Sequence, residues 1–496
     1  MEDIVSNNIE ENLKKINSKL NLLINSDIIL RKFTITINDH LYNAFLIYVD
    51  GMADKNSLSE FVLKPLTIKK IKSSNNDIAK IVKNVLLQND IKEENNFEKI
   101  CSDIVSGNCA VFVESINFAY DIDVKSFSLR SISTPKNETT IKGSQEGFVE
   151  NIRTNTSIIR RNINSENLVI ENIIVGKVKK NQCAICYMKN IANPDLVSEA
   201  KFRLNNLSVD FVNSSAELAE FIKDDDETTL PELINTERVD LTISCLLQGR
   251  VAIIYNGSPN VLIAPATYLD FISSPEDINI NHVFANLLKT IRTISVIITL
   301  LLPGLYIAIT TYHFEIIPID LLFSIVSSRT NVPFQVSIEI ILMEISFEII
   351  REACLRVPSP LGSTIGIVGA LVLGDAAVKA NIVSPILIII IAITGITSFA
   401  IPNYELSFHL RVDRFLYTAV GYFCGFIGIA VILFMYIAKL SSLKSFGVPY
   451  LAPYVPFNTN HDRGLFSKPP WKREYLNSYF KTKIRQVQDK KSMRWK

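Results

Sequence analysis

Signatures of catalysis and nucleotide binding are missing from this chain. No GxxxxGK[ST] occurs, so Gly143-Ser144-Gln145-Glu146-Gly147 forms a turn and helix entry, not a phosphate loop. HExxH and GxSxG are also absent, and His40, His282, His313, His409 and His461 stand isolated, so neither an enzyme nor a cofactor is expected. Cysteine is sparse: the seven (Cys101, Cys109, Cys183, Cys186, Cys245, Cys354 and Cys424) are odd in number and scattered, which excludes a disulfide framework. Cys183 and Cys186 form one CxxC without a second pair or a nearby histidine. Zinc needs about four ligands, so two reduced, partly buried thiols are expected and no metal site. A basic surplus is lacking too. The 51 Lys and Arg against 50 Asp and Glu leave a net charge of +1, with no domain-wide basic field, and nucleic acid is excluded as a partner. The opening residues, Met1-Glu2-Asp3, lack the basic region and apolar core of a secretory signal. Everything before the first span is therefore expected in the cytosol.

What is present is unevenly distributed. The 496 residues exceed one ordinary core, so at least two domains are expected. With 48% hydrophobic and 20% charged residues, the chain is apolar for a soluble protein and polar for a membrane bundle. Residues 1–285 read as an α+β domain of two lobes, about 27–142 and 166–280, joined by a helical segment at 143–165. Alternating runs at 33–37 and 44–49 predict strands, and 109–114 with 118–124 predict a hairpin. Residues 54–66 and 97–105 predict helices. In the second lobe, 169–175 and 184–188 read as strands, followed by a helix after Pro194. Residues 251–255 and 260–265 flank Asn256-Gly257, whose two positions tolerate φ > 0, a strong hairpin signal.

The character changes after Asn286. A span needs about 20 apolar residues, and 293–312, 361–380, 381–404 and 415–438 meet that requirement, giving a membrane domain at 286–440 with four expected spans. Residues 334–353 differ. Ser337, Glu344, Glu348, Arg351 and Glu352 fall on one helical face, so this amphipathic helix is expected in the interface, or inside a bundle with its polar stripe on water, and not as a lipid-facing span. Residues 441–496 form a basic tail with Lys439, Lys444, Lys468, Lys472 and Arg473 nearby, expected on the cytoplasmic side. A loop holding Arg411 and Arg414 would then lie outside, against the same rule.

Several blocks resemble the A subunit of the GerA family of spore germination receptors. They run from Gly143-Ser144-Gln145-Glu146-Gly147-Phe148 and Asn151-Ile152-Arg153 through Thr236-Glu237-Arg238, Gln248-Gly249-Arg250 and Leu262-Ile263-Ala264-Pro265. Ser274-Pro275-Glu276-Asp277, Leu302-Pro303-Gly304 and Val332-Pro333-Phe334 follow. Gly366-Ile367-Val368-Gly369 and Ser445-Phe446-Gly447-Val448-Pro449 complete the series, in order from about residue 50 to 456. The resemblance implies an oligomeric membrane protein of the spore inner membrane that responds to small nutrients and starts release of monovalent cations. It also implies two partners: a transporter-like B subunit, the favoured nutrient binder, and a lipoprotein C subunit. The competing readings are a secondary transporter or accessory subunit, with Asp375 on a coupling ion, and a non-conducting scaffold whose lobes bind a cytosolic ligand.

Acids within apolar segments carry the rest. On a helical wheel Thr364, Val368 and Asp375 share a face that would line an ion path, with Val368 as an apolar constriction. The opposite face holds Gly362, Gly366 and Gly369, and with Gly374 it would pack closely on neighbouring helices. Asp375 could equally pair with Lys379 at i,i+4. Glu344 and Glu348 repel one another at the same spacing, so they face cations in a ring-shaped oligomer or water along an interfacial helix. Arg153, Arg160 and Arg161 are candidates for subunit contact, against a solvated helix face. Arg250 is expected in a hairpin-edge salt bridge, and Pro303-Gly304 is expected to kink the first span.

Overall fold

The computed structural model describes residues 3–68, 71, 77–88, 90–126, 138, 143–356 and 372–455. Thr364, Val368, Gly362, Gly366 and Gly369 fall outside the described residues, as does the tail beyond 455.

Apolar runs place the strands. β1 (Ile28–Ile37) and β2 (His40–Val49) pair antiparallel across Asn38 and Asp39, which adopt φ of 47° and 62°. Two consecutive positive φ values match the twist of a tight hairpin, and Asn and Asp tolerate them best after glycine. β3 (Ile91–Glu94), β4 (Cys109–Val113) and β5 (Ala119–Ile122) complete an antiparallel sheet ordered β1-β2-β4-β5-β3. The second sheet holds β6 (Leu168–Val175), β7 (Asn181–Met188), β8 (Ile234–Thr236), β9 (Val251–Tyr255) and β10 (Val261–Ala264), ordered β6-β7-β9-β10-β8. The two sheets share one topology. Each lobe opens on a helix, Ile9–Leu20 before β1 and Ile152–Asn162 before β6. Each also carries a helix before its second hairpin, Phe97–Val105 and Val239–Leu247. The segment read as a joint between lobes thus supplies the opening helix of the second.

Helices cover both faces of each sheet, so the central strands β4 and β9 are buried at every residue and read as continuous apolar runs. A three-residue step in a strand points side chains to opposite faces. Cys183 accordingly packs in the core on one side of β7 and Cys186 in the core on the other. The CxxC therefore cannot converge on one metal. Both thiols are free and wholly buried, and burial pushes Cys183 up to about 12.

The helical region follows without a seam. One apolar cluster runs from Ile263 and Phe271 of the second lobe through Val296 and Leu300 to Leu410 and Tyr417. Its helices among the described residues include His282–Tyr312, Ile319–Arg329, Val336–Arg356, Pro385–Phe399 and Tyr404–Ser442, and 372–379 are helical as well. By length and composition alone, His282–Tyr312 and the segment Tyr404–Ser442 could each cross a membrane. The first runs through Pro303 as a single helix of 31 residues.

The second is not one straight rod. His409 and Tyr436 would be about 40 Å apart along an unbroken helix, yet their rings stack 5.9 Å apart. The chain reverses at Gly425, with φ 60° and ψ −146°, a region essentially reserved for glycine. Residues 415–438, expected as one span, are corrected to parts of both arms of a helical hairpin. The tip rests on His313, whose ring stacks on Phe426 at 4.7 Å. Pro385–Phe399, within the expected span 381–404, has 15 residues and rises only about 22 Å.

After the second arm, β11 (Lys444–Ser445) and β12 (Val448–Pro449) return to the second lobe. There Ser445 Oγ donates to the Glu232 carbonyl at 2.6 Å, and Tyr450 Oη donates to the Pro231 carbonyl at 2.7 Å.

Candidate functional site

The Val336–Arg356 helix is amphipathic in the reverse sense. Ser337, Glu339, Glu344 and Arg351 are buried, while Ile338, Ile341, Ile345 and Ile349 are exposed, the last by 63%. Most of the expected stripe is there and faces protein, not water; Glu352 is the exception, exposed and paired with Arg356. The stripe's partners come from the first arm of the hairpin. Arg414 Nε lies 3.2 Å from Glu344 Oε1, and its Nη2 lies 3.2 Å from Glu348 Oε1. Arg411 Nη1 is 3.5 Å from Glu348 Oε2. Arg351 Nη1 is 3.9 Å from Glu348 Oε1, while its Nη2 donates to Ser398 Oγ at 2.6 Å. Nearby, Glu339 takes Arg329 at 3.2 Å and accepts from the Ser384 backbone at 2.9 Å. Arg411 and Arg414 are therefore not loop residues, which corrects that expectation. They lie inside the Tyr404–Ser442 helix, buried, and ion pairing offsets part of the cost of placing them there. The sequence signal was the pair of basic residues three apart at the head of an apolar run, matching two acids four apart on another helix.

Asp375 is not brought to these groups. Its Oδ2 accepts from Lys379 at 2.6 Å, and both side chains are exposed. Gly374 has room beside it: among the described residues an added Cβ would meet nothing nearer than Ile388 at 3.9 Å. Among the described residues the close helix approach is at Gly304 and Gly421. A Cβ on Gly304 would stand 2.6 Å from the Tyr417 carbonyl oxygen, and one on Gly421 would stand 2.5 Å from the Gly304 carbonyl oxygen.

The three lobe arginines also find partners within the chain. Arg160 is fully buried, which removes it from both a solvated face and a subunit contact in this arrangement. Its Nε and Nη2 donate to the two carboxylate oxygens of Asp27, each at 2.9 Å, and its Nη1 donates to the Leu168 carbonyl at 2.9 Å. Arg153 reaches Asp50 at 2.6 Å, and Arg161 pairs with Glu146. Since Asp27 and Asp50 belong to the first lobe, Arg160 and Arg153 clamp the two lobes together. Arg250 is buried as well and grips Asp270 through two contacts of 2.9 Å.

Where the second lobe meets the hairpin there is a cavity of about 410 Å³, lined by Glu217, Glu220, Glu232, Asn235, Tyr404 and Glu405 among others. Thr229 Oγ1 lies 2.6 Å from His409 Nδ1, and Asn235 donates to Glu405 at 3.3 Å. Glu232 accepts from the backbone of Asp224 at 2.6 Å and of Asp225 at 3.3 Å. Burial nonetheless pushes it up to about 7, helped by the charges of Asp224 and Asp225. A carboxyl raised on folding binds more protons in the folded state, so stability falls as pH rises from about 4.5 to about 7. Glu232→Gln is expected to flatten that slope, read as urea midpoints that no longer decline between pH 5 and pH 7.5. A slope that persists unchanged would assign it to other groups.

Among the described residues no group of three or more His, Cys, Asp or Glu is placed to hold a metal ion. An α/β domain whose core runs on into apolar helices, one of them oily outside and charged within, is the build of a membrane-associated protein with a folded soluble part. Residues 14–478 match the family described as Bacillus/Clostridium GerA spore germination protein, and the chain belongs to that family. It is 36% identical over 467 residues to spore germination protein KA of Bacillus subtilis (strain 168), covering 94% of this chain and 85% of that protein. It is 33% identical over 473 residues to the uncharacterized membrane protein YfkQ of the same organism, covering 95% and 91%. The crystal structure of the N-terminal domain of the A subunit of the Bacillus megaterium spore germinant receptor GerK3 is similar at 28% identity and a TM-score of 0.42. It covers 54% of this chain and 98% of that one.

Proposed function

We propose that this chain is the A subunit of a nutrient-responsive spore germination receptor, an oligomeric membrane component that couples nutrient sensing to release of monovalent cations. The observation that carries the reading is the 36% identity to spore germination protein KA over 94% of the chain. The outward apolar face of Val336–Arg356 supports a bundle of several membrane helices, since exposed Ile with inward charge suits lipid and not water. Docking of Lys444–Tyr450 on the second lobe supports a cytoplasmic side shared by the domain and the tail. The location is the spore inner membrane, and the partners are a transporter-like B subunit and a lipoprotein C subunit. Glu344 and Glu348 are engaged by arginines, which leaves Asp375 and the residues before it, Thr364 and Val368, as the path.

Purified chain in liposomes, with and without its partner subunits, tests this by potassium flux normalised to protein. Asp375→Asn is expected to slow the flux several-fold, because rings of carboxylates raise local cation concentration. Val368→Ala is expected to leak without nutrient, because a wider apolar ring no longer gates by dewetting. Unchanged normalised flux in the first variant, with no leak in the second, would move the path off this helix.

A further inference from the structure

The ion cluster between Val336–Arg356 and the first hairpin arm does not balance. Among the described residues Arg351, Arg411 and Arg414 face only Glu344 and Glu348, which leaves one positive charge over in a buried, apolar setting. All three guanidinium groups are more than nine-tenths buried. Hydrogen bonding in the cluster is poor on both sides among the described residues: Nε of Arg351, Arg411 and Arg414 finds no acceptor, and neither carboxylate oxygen of Glu344 finds a donor. Arg411 makes a single ion contact, at 3.5 Å. Asp413 does not serve them, since its Oδ2 turns to His409 Nε2 at 3.3 Å. Nor can residues 357–371, which contain no Asp or Glu. An unmatched buried guanidinium costs several kcal/mol; it is the surplus charge, with three Nε donors still unmet, that calls for a further anion.

The cluster also lies at an informative depth. Arg351 donates to Ser398 and covers the ring of Phe399 at 4.1 Å, at the end of Pro385–Phe399. A few residues on, Glu405 touches Asn235 of the second lobe. The arginines thus sit in the lobe-side half of the helices, within about 14 Å of the Glu405 contact, toward the side where basic pockets between helices meet phosphate headgroups. Arginine's planar fork suits phosphate oxygens.

We propose that Arg351, Arg411 and Arg414 form an oxyanion site for the phosphate group of an anionic phospholipid. The bound phosphate supplies the missing negative charge and ties Val336–Arg356 to the hairpin. Only the lipid source of the phosphate rests on the membrane reading of these helices; the oxyanion site does not.

The test uses the full chain purified in maltoside detergent. Thermal unfolding is followed with phosphatidylglycerol, with phosphatidylcholine, with inorganic phosphate, and with chloride at matched ionic strength. Phosphatidylglycerol is expected to raise the midpoint saturably by several degrees, with phosphatidylcholine and chloride inert. Arg411→Gln is expected to abolish the shift, and Lys379→Gln, on an exposed pair, to keep it. Glu348→Gln removes a competing carboxylate and is expected to tighten phosphatidylglycerol binding about fivefold, equivalent to ~1 kcal/mol. That sign separates the site from a structural ion pair, whose loss would weaken the fold without raising lipid affinity. A shift with inorganic phosphate alone, lost in Arg411→Gln, supports the oxyanion site while denying the lipid source. No shift with either phosphate probe, a shift retained in Arg411→Gln, or weaker binding in Glu348→Gln overturns the proposal.

Discussion

Gly421→Val is expected to destabilise the full chain by about 3 kcal/mol or more, at the upper end of the cost of overpacking a close contact. The reason is that the atom in the way is backbone. A Cβ on Gly421 stands 2.5 Å from the Gly304 carbonyl oxygen, and one on Gly304 stands 2.6 Å from that of Tyr417. A side chain could swing aside, but here two helix axes would have to separate. Tyr312 Oη, which donates to the Tyr422 carbonyl at 2.7 Å, would lose its acceptor if they did. Gly374→Val is the control, since its nearest neighbour is a flexible Ile388 methyl at 3.9 Å. Its stability should change by about 1 kcal/mol or less, the ordinary size of a glycine change in a helix where the added side chain has room. Thermal unfolding of both variants in detergent decides it. Equal effects would show that the bundle can open locally around Gly421.

Removing Asp27 should be nearly as damaging. Asp27→Ala leaves Arg160 fully buried without its carboxylate, and breaking one side of such a pair typically costs about 3–5 kcal/mol. The lobes should then separate before either unfolds, because the same region carries the other ties between them. The Ile170 backbone donates to Asn25 Oδ1 at 2.9 Å, and the Ser26 backbone donates to the Ile170 carbonyl at 2.8 Å. Limited proteolysis near residues 143–151 should accelerate in Asp27→Ala. The double change Asp27→Leu with Arg160→Met should recover most of the stability, since a buried pair replaced by apolar groups of like volume is often neutral. If the double variant is as unstable as the single one, the Arg160 contact to the Leu168 carbonyl matters more than the ion pair.

Much of the α/β domain was legible in the sequence because its signals are local. Apolar runs marked β1, β2, β4 and β9, and Pro194 marked the start of the helix Pro194–Asn205. Asn256-Gly257 marked the hairpin between β9 and β10, with Gly257 at φ 93°. The site was less legible because its signals are relational. The stripe on Val336–Arg356 followed from periodicity, but whether it faces water or protein depends on Arg411 and Arg414 in a distant segment. Arg160 stood out, but not its partner, since Asp27 lies 133 residues away in sequence. Uncharged residues 415–438 had the length of a span, and a glycine inside such a run is tolerated. Only the backbone angles of Gly425 reveal that the chain turns back there. Glycine density pointed to 362–374 for close packing, of which only Gly374 falls among the described residues; Gly304 and Gly421 make a close approach through single, well-placed residues.

The reversal at Gly425 has a mechanical consequence. Both feet of the hairpin stand on the same lobe: Thr229 meets His409 at the first, and Glu232 and Pro231 hold Ser445 and Tyr450 at the second. A strut pinned at both feet cannot slide along its base; it can only tilt with it. The arm from Tyr404 to Gly425 rises about 30 Å, so a tilt of the lobe by about 5° carries the tip sideways by about 3 Å. The tip bears on His313 and Tyr312, at the far end of the long first helix. Small rotations of the soluble lobe are thus geared up and delivered to the opposite end of the bundle.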